Sequence, residues 1–286
     1  MSPQDYEHFC ELLKARSGID LGPDKAYLLE SRLGSVAGTA GHASVAALLR
    51  ALCTAPEEKV VEAAVDAMTT NETFFFRDNT PFDALRKHVL PELAKSRAGQ
   101  PVRIWSAACS TGQEPYSLAM VLREEAPRYP GLKVDILGSD LSERVLQKAR
   151  SGVYSQFEIQ RGLPIQLLMR YFEETTGGFR AKPELREMVR WRRQNLLSSL
   201  KLMGQFDVVF LRNVLIYFDR ATKARVLEEV ASVTAPGGYL VLGAAETVLG
   251  LTTTYQSVPG FGGLYQKSAA AAQERPPSFV RAASGG

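Results

Sequence analysis

Apolar residues recur at helical spacing through the first quarter of the chain. In "DYEHFCELLKARSG" (5–18) and "VAALLRALCTAPEEKVVEAAVDAM" (45–68) they stand three and four positions apart, and glycine or proline marks the breaks. Little in this part of the sequence has the alternating pattern of a strand. Residues 1–68 are therefore predicted to form a small all-helical N-terminal domain.

From residue 102 onward, apolar runs alternate with amphipathic helical segments. Such alternation is typical of a parallel sheet covered by helices on both faces. We therefore predict an α/β fold with a doubly wound, Rossmann-like sheet, closed near the C-terminus by a hairpin from "TYQSV" and "FGGLYQK". The clearest predicted strands are 102–109, 132–140, 206–213 and 237–243, the last after a Pro-Gly-Gly turn, and the basic "VRWRRQN" (189–195) is a further one.

The alternation stops between about 151 and 193. Short aromatic and β-branched pieces and the Gly177-Gly178 pair predict an inserted antiparallel β-subdomain there. From 150 to 193, nine basic residues stand against five acidic ones, a net charge of +4, whereas residues 1–68 carry six basic and ten acidic residues, a net charge of −4. The low-complexity end of the chain, 268–286, is predicted to be disordered.

Composition narrows the class of protein. The net charge of the 286 residues is only +3, which is too mild to indicate a nucleic-acid partner. Three scattered cysteines suit a reducing compartment, and three scattered histidines have no metal-ligating spacing, so no metal site is predicted. The first residues do not resemble a secretory signal, and no apolar run approaches a membrane span. A cytoplasmic protein without membrane insertion is expected.

The turn after the first predicted strand is the most informative candidate site. "ACSTG" (108–112) is built of small residues, so backbone N–H groups there can approach a ligand closely, but it lacks the GxGxxG pattern of dinucleotide sites. Glu114 follows two residues after Gly112. A carboxylate at this place suits a cationic group, such as the ammonium or sulfonium of S-adenosylmethionine. The alternative is an acid that complements the dipole at the first turn of the helix.

Further polar residues end the other predicted strands. Asp140 closes the second one, where a carboxylate can accept both hydroxyls of a ribose, and the alternative is that it caps the following helix, a role for which Ser142 also qualifies. Asn195 ends the basic strand, where an amide can pair with an adenine edge, or is simply a turn residue. Arg212 and Asn213 end the third strand, and polar groups at that depth need partners.

Four blocks in order, "TTNETFFFRD", "WSAACSTGQEPYSLAM", "ILGSDLS" and "LRNVLIYF", resemble the signature of the chemotaxis receptor glutamate methyltransferases (CheR-type). The resemblance implies a linker, 69–80, that contributes to the cofactor site, and a methyltransferase domain, 81–267, that contains the insertion. Arg77 and Tyr217 match the residues that this family places beside the transferred methyl group, and the phenylalanines of the first block are expected mainly to pack. The cofactor contacts that it implies are Asn71, Thr73, Arg77, Glu114, Asp140, Asn195, Leu196, Arg212 and Asn213.

The resemblance also implies an activity. The expected enzyme moves a methyl group from S-adenosylmethionine to glutamate side chains of a chemoreceptor's cytoplasmic region, leaving S-adenosylhomocysteine. It would act as a monomer on an acidic helical bundle, and the 151–193 insertion is a candidate for binding the receptor's C-terminal peptide. Two alternatives are a methyltransferase of a small molecule or RNA, and a non-catalytic cofactor-binding scaffold of receptor arrays. Two features depart from the family: Gln113 replaces a common acid, and the N-terminal domain is acidic rather than basic.

Overall fold

The computed structural model of the protein describes residues 2–97 and 99–268, so the predicted disordered tail lies outside the described residues from 269 onward. The first part of the chain is helical, as predicted. Its helices bury an apolar core that includes Leu13, Leu33 and Leu48. The helices are α1 (Pro3–Ser17), α2 (Ala26–Thr39), α3 (Val45–Thr54) and α4 (Glu58–Met68), with a short 3-10 turn at Pro23–Lys25.

A seven-stranded sheet forms the centre of the remaining chain, and the predicted fold class is confirmed. Its strands are β1 (Val102–Ala107), β2 (Val134–Asp140), β6 (Val189–Arg193), β7 (Phe206–Leu211), β8 (Thr234–Leu242), β9 (Tyr255–Ser257) and β10 (Leu264–Lys267). The order across the sheet is β6-β2-β1-β7-β8-β10-β9. The pairs from β6 to β8 are parallel. At the other edge, β10 pairs antiparallel with both β8 and β9, and β9 with β10 forms the predicted C-terminal hairpin.

Both faces of this sheet are buried. Ile104 packs in one apolar core with Tyr116 and Phe210, whereas its neighbour Trp105 packs in a second core with Phe206. Successive side chains of a strand point to opposite faces, so an uninterrupted apolar strand needs cover on both sides. The covering helices are α5 (Thr80–Ala84), a π-helical turn at Leu85–Val89, α6 (Leu90–Ser96), α7 (Gln113–Glu125), α8 (Glu143–Ser151) and α12 (Arg220–Val233).

A small antiparallel sheet interrupts the large one, as predicted. Its strands are β3 (Val153–Tyr154), β4 (Phe172–Thr175) and β5 (Gly178–Ala181), in the order β3-β5-β4. The predicted insertion of 151–193 is too long at its C-terminal end, because β6 belongs to the large sheet, where Val189 pairs with Ile136 and is buried. The short helices of this region are α9 (Gln156–Gln160), α10 (Ile165–Tyr171) and α11 (Pro183–Arg186). Among the described helices, none combines the length and the apolar character that crossing a bilayer requires.

The three consecutive phenylalanines wedge the linker between the two sheets. Phe75 is fully buried and meets the rings of Tyr154 and Phe172 edge-on at 5.0 and 5.6 Å. Phe76 is buried against Phe82, with ring centroids 5.2 Å apart. Phe74 is only half-buried. Packing is therefore the confirmed role of Phe75 and Phe76.

Candidate functional site

A cavity opens at the carboxyl edge of β1, β2 and β7, where ligands of open α/β sheets bind. The space inside it, including the open solvent at its mouth, is about 950 Å³. The structure brings every sequence-predicted site residue to this cavity. These lining residues are Asn71, Thr73, Arg77, Glu114, Asp140, Asn195, Leu196, Arg212, Asn213 and Tyr217.

Unusual backbone conformations concentrate around the cavity. In the described chain, each non-glycine residue with a positive φ lies in the linker, in the turn after β1 or directly after β7. A left-handed conformation costs a non-glycine residue roughly 1–3 kcal/mol and persists only where the surrounding structure imposes it. Backbone strain is therefore concentrated in these three loops around the cavity. The residues are Phe76, Asp78, Asn79, Ala108, Ser110 and Asn213.

Asp140 presents a buried carboxylate at the end of β2. It is 6% exposed, and its oxygens accept the backbone N–H groups of Ser110 at 2.8 Å and Ser142 at 2.9 Å. Ser142, whose side chain accepts from Val145, is the N-cap of α8, so the alternative role of Asp140 as a helix cap is wrong. Burial raises the pKa of Asp140 above its usual value, while the two N–H donors oppose that shift. Each oxygen keeps a further lone pair, so the carboxylate fits a vicinal diol.

Arg212 ties the acidic residues of the site together. Its guanidinium, whose side chain is 2% exposed, donates to Glu114 at 2.7 Å and to Asp78 at 2.8 Å. Glu114 also accepts the Ser106 hydroxyl at 2.7 Å, so it is not the free carboxylate that the sequence suggested. Two carboxylates on one guanidinium leave a single negative charge. The cluster as a whole thus suits a cationic ligand group, and it supplies partners for both terminal nitrogens of Arg212, whereas the buried Nε has none among the described residues.

Arg77 and Tyr217 approach the cavity from opposite loops. Arg77 donates to the backbone carbonyl of Glu72 at 2.9 Å, and its guanidinium carbon lies 5.6 Å from the centre of the Phe74 ring. Tyr217 ends the 3-10 turn Leu215–Tyr217 and is half-buried. Within residues 2–97 and 99–268, its side chain makes no hydrogen bond, so the hydroxyl is available to a ligand.

Comparison with known proteins decides the family. A family model described as "CheR methyltransferase, SAM binding domain" matches residues 71–261, and one described as "CheR methyltransferase, all-alpha domain" matches residues 4–69. The chain belongs to the CheR methyltransferase family. It is 44% identical over 261 residues to the chemotaxis protein methyltransferase of Vibrio parahaemolyticus, covering 90% of this chain and 94% of that one. It is 45% identical over 258 residues to chemotaxis protein methyltransferase 1 of Pseudomonas aeruginosa, covering 89% and 94%.

The cofactor of this CheR methyltransferase is S-adenosylmethionine, as the sequence predicted. The cavity fits it at two places. The Asp140 carboxylate offers acceptors to a ribose. Among the lining residues, the three acids Glu72, Glu114 and Asp140 outnumber the two arginines Arg77 and Arg212, which favours a cationic ligand group. Among the described residues, no group of His, Cys, Asp and Glu side chains is arranged to hold a metal ion.

Two residues of this CheR methyltransferase are engaged differently from expectation. Asn195 lines the cavity, but its amide donates to the Arg16 carbonyl at 2.7 Å and accepts from the Leu197 backbone at 2.9 Å. It joins the N-terminal helices to the loop after β6, and adenine pairing through its remaining N–H stays a prediction. Gln113, the departure from the family, is buried and accepts the Thr111 hydroxyl at 2.8 Å without lining the cavity. It can therefore act on the cofactor only indirectly.

Sequence reasoning missed the contribution of the N-terminal helices to the site. Ser17 and Ile19, at the end of α1, line the cavity. Ile19 forms an isolated antiparallel bridge with Phe218, and the Asp20 N–H donates to the Tyr217 carbonyl at 2.9 Å. These contacts join residues about 200 positions apart. No local motif announces them, because nothing but the assembled fold brings them together.

Proposed function

We propose that this CheR methyltransferase methylates glutamate side-chain carboxylates on the cytoplasmic region of a chemoreceptor. The observation that carries the proposal is the missing base: no histidine or lysine occurs among the described residues lining the cavity. The three carboxylates that line the cavity are already bound: Glu114 to Arg212 and Ser106, Asp140 to backbone N–H groups, and Glu72 to Arg161. A free glutamate has a pKa of about 4.3 and is ionised at neutral pH, so it needs no base.

The main task of the protein is then to align the glutamate carboxylate with the methyl group of the cofactor. When bound, S-adenosylmethionine supplies a methyl group on a positively charged sulfur. We assign Asp140 to the ribose, the Glu114–Arg212–Asp78 cluster to the cationic end, and Asn71, Thr73, Asn213 and Leu196 to the surrounding contacts. Arg77 orients the incoming carboxylate and the Tyr217 hydroxyl positions it. Holding reactants in line supplies much of the acceleration of a displacement that moves no proton.

The distribution of charge does not indicate which face of the protein binds the receptor. Five of the nine basic residues between 150 and 193 already form ion pairs with acids of this chain. The other four are matched by the four acids of the region that form no ion pair among the described residues, so the region offers little net positive charge. Binding of a receptor C-terminal peptide by the insertion remains a prediction, as does the docking of an acidic bundle against an acidic N-terminal domain. The five pairs are Arg150–Glu143, Arg161–Glu72, Arg170–Glu124, Arg190–Asp135 and Arg193–Glu62.

The substrate class is tested by the lability of the product. The purified protein is incubated with cofactor carrying a radiolabelled methyl group and with receptor-rich membranes. A glutamate methyl ester releases volatile methanol in mild base, whereas N-methyl and C-methyl groups stay bound. We expect base-labile counts on the receptor. Base-stable counts would assign another substrate, and no counts despite cofactor binding would favour the scaffold alternative.

Tyr217→Phe is expected to lower turnover at least about tenfold while leaving the affinity for S-adenosylhomocysteine nearly unchanged. The change removes only a hydroxyl, and a hydrogen bond to a charged group such as the reacting carboxylate is worth about 1.5–3 kcal/mol, which is about tenfold or more in rate. Initial rates of base-labile methylation and calorimetric titration measure the two effects. Tyr265→Phe, on β10 outside the cavity, is the matched control. Equal rates for the two variants would remove Tyr217 from the reaction.

A further inference from the structure

Glu246 is an acid that the sequence did not single out. It follows β8, is 8% exposed and does not line the cavity. Its carboxylate accepts four backbone N–H groups: one oxygen binds those of Val214 at 2.9 Å and Leu215 at 2.7 Å, and the other binds those of Asn213 and Gly243, both at 2.8 Å. All four lone-pair directions of the carboxylate are therefore used.

These contacts hold the loop that carries two site residues. Asn213 has a φ of 57°, and the chain then turns through a short 3-10 segment to Tyr217. Successive N–H groups that converge in this way form an anion-binding nest, which is satisfied here by Glu246. A Cβ at Gly243 would lie 2.7 Å from the Asn213 side-chain nitrogen, 2.8 Å from the Glu246 carboxylate and 3.1 Å from the Asn213 backbone nitrogen, so any larger residue would displace these groups.

We propose that Glu246 is a positioning residue for methyl transfer. Its carboxylate fixes the loop from Asn213 to Tyr217, and the loop places the Asn213 side chain against the cofactor and the Tyr217 hydroxyl against the methyl acceptor. Glu246 acts through these two residues and touches neither reactant. The inference rests on the proposed function for the roles of Asn213 and Tyr217.

A second buried acid, on the strand β7 that leads into this loop, provides the control. Asp207 lies near the start of β7, at the end of the strand away from the cavity, and is 5% exposed. It accepts the Arg103 backbone N–H at 2.8 Å and pairs with Arg97 at 2.5 Å. Its removal costs buried hydrogen bonds of the same kind without touching the loop. A variant of Asp207 therefore shows the effect of lost stability alone, without displacement of the loop that carries Asn213 and Tyr217.

The experiment compares Glu246→Ala with Asp207→Ala in the full chain. Both variants are expected to have lower melting temperatures. Glu246→Ala alone should lower kcat of the folded protein by about 100-fold, the typical effect of misplacing a reacting group by about 1 Å, and weaken S-adenosylhomocysteine binding. Acetate should restore part of both losses in Glu246→Ala by occupying the four N–H groups, whereas neutral acetamide should not.

Two results would overturn the inference: wild-type kcat and affinity in Glu246→Ala, or equal losses in both variants without rescue by acetate. Glu246→Gln keeps the shape of the side chain but has one oxygen for four donors, so it should show a smaller loss of kcat and tests the idea if Glu246→Ala fails to fold. Wild-type activity in Glu246→Gln would then count against it.

If the wild-type protein gives no base-labile product, the proposed function fails. The effect of acetate on S-adenosylhomocysteine affinity still tests Glu246 through Asn213.

Discussion

Arg212→Met is expected to lower the free energy of unfolding by about 3 kcal/mol and to abolish measurable binding of S-adenosylhomocysteine. The guanidinium is buried and is bound to Glu114, to Asp78 and to the Arg77 carbonyl. Without it, Glu114 remains 12% exposed with no compensating charge, and the strained linker loses its anchor to the sheet. Breaking a buried ion pair by removing one partner is costly because it leaves an uncompensated charge.

Chemical denaturation measures the first part of this prediction and calorimetric titration the second. Arg144→Met is the matched control, because Arg144 also pairs with an acid but its side chain is 65% exposed. An exposed pair contributes at most about 1 kcal/mol. If both variants lost the same small amount of stability, the cluster around Arg212 would not organise the site.

Asp140→Ala is expected to weaken S-adenosylhomocysteine binding by at least about 100-fold. Two hydrogen bonds from ribose hydroxyls to a carboxylate are each worth about 1.5–3 kcal/mol, and the backbone of Ser110 loses its acceptor as well. Calorimetric titration gives the affinity directly. Asp135→Ala, at the opposite end of β2, is the control and should bind as the wild type does. Undiminished binding by Asp140→Ala would contradict the assignment.

The same carboxylate predicts a pH dependence. Because burial raises the pKa of Asp140, its protonation begins at a higher pH than that of an exposed aspartate. The charged form is the one that accepts both hydroxyls, so affinity should be full above the pKa and should fall as the pH is lowered through it. Asp140→Asn, which cannot titrate, should bind weakly and without this dependence. The comparison requires only titrations at several pH values on the acid side of neutrality.

The candidate site was predictable where it depends on strand order. Parallel strands end at the same edge of a sheet, so residues that close apolar runs meet there, as Asp140 and Arg212 do. The partners of those residues were not predictable. Pairing of Glu114 with Arg212 and of Asp78 with the same guanidinium depends on loop conformations that composition does not specify.

Elements set by long-range packing were also harder to predict. The Pro-Gly-Gly sequence indicated a turn ahead of the strand, but β8 already begins at Thr234. The irregularity appears instead as a shift in the β7–β8 register between Phe206 and Val208. Pairing with β7 outweighs the local turn preference there. Glu246 stands in "GAAETVLG", which contains no motif, and its function is visible only when the loops after β7 and β8 lie side by side.

A crystal structure of the protein with S-adenosylhomocysteine tests the central claim most directly. The account predicts one molecule in the cavity, with both ribose hydroxyls about 2.6–3.2 Å from the Asp140 carboxylate and the sulfur facing the space between Arg77 and Tyr217. Density for the ligand in another part of the molecule, or a ribose turned away from Asp140, would contradict it.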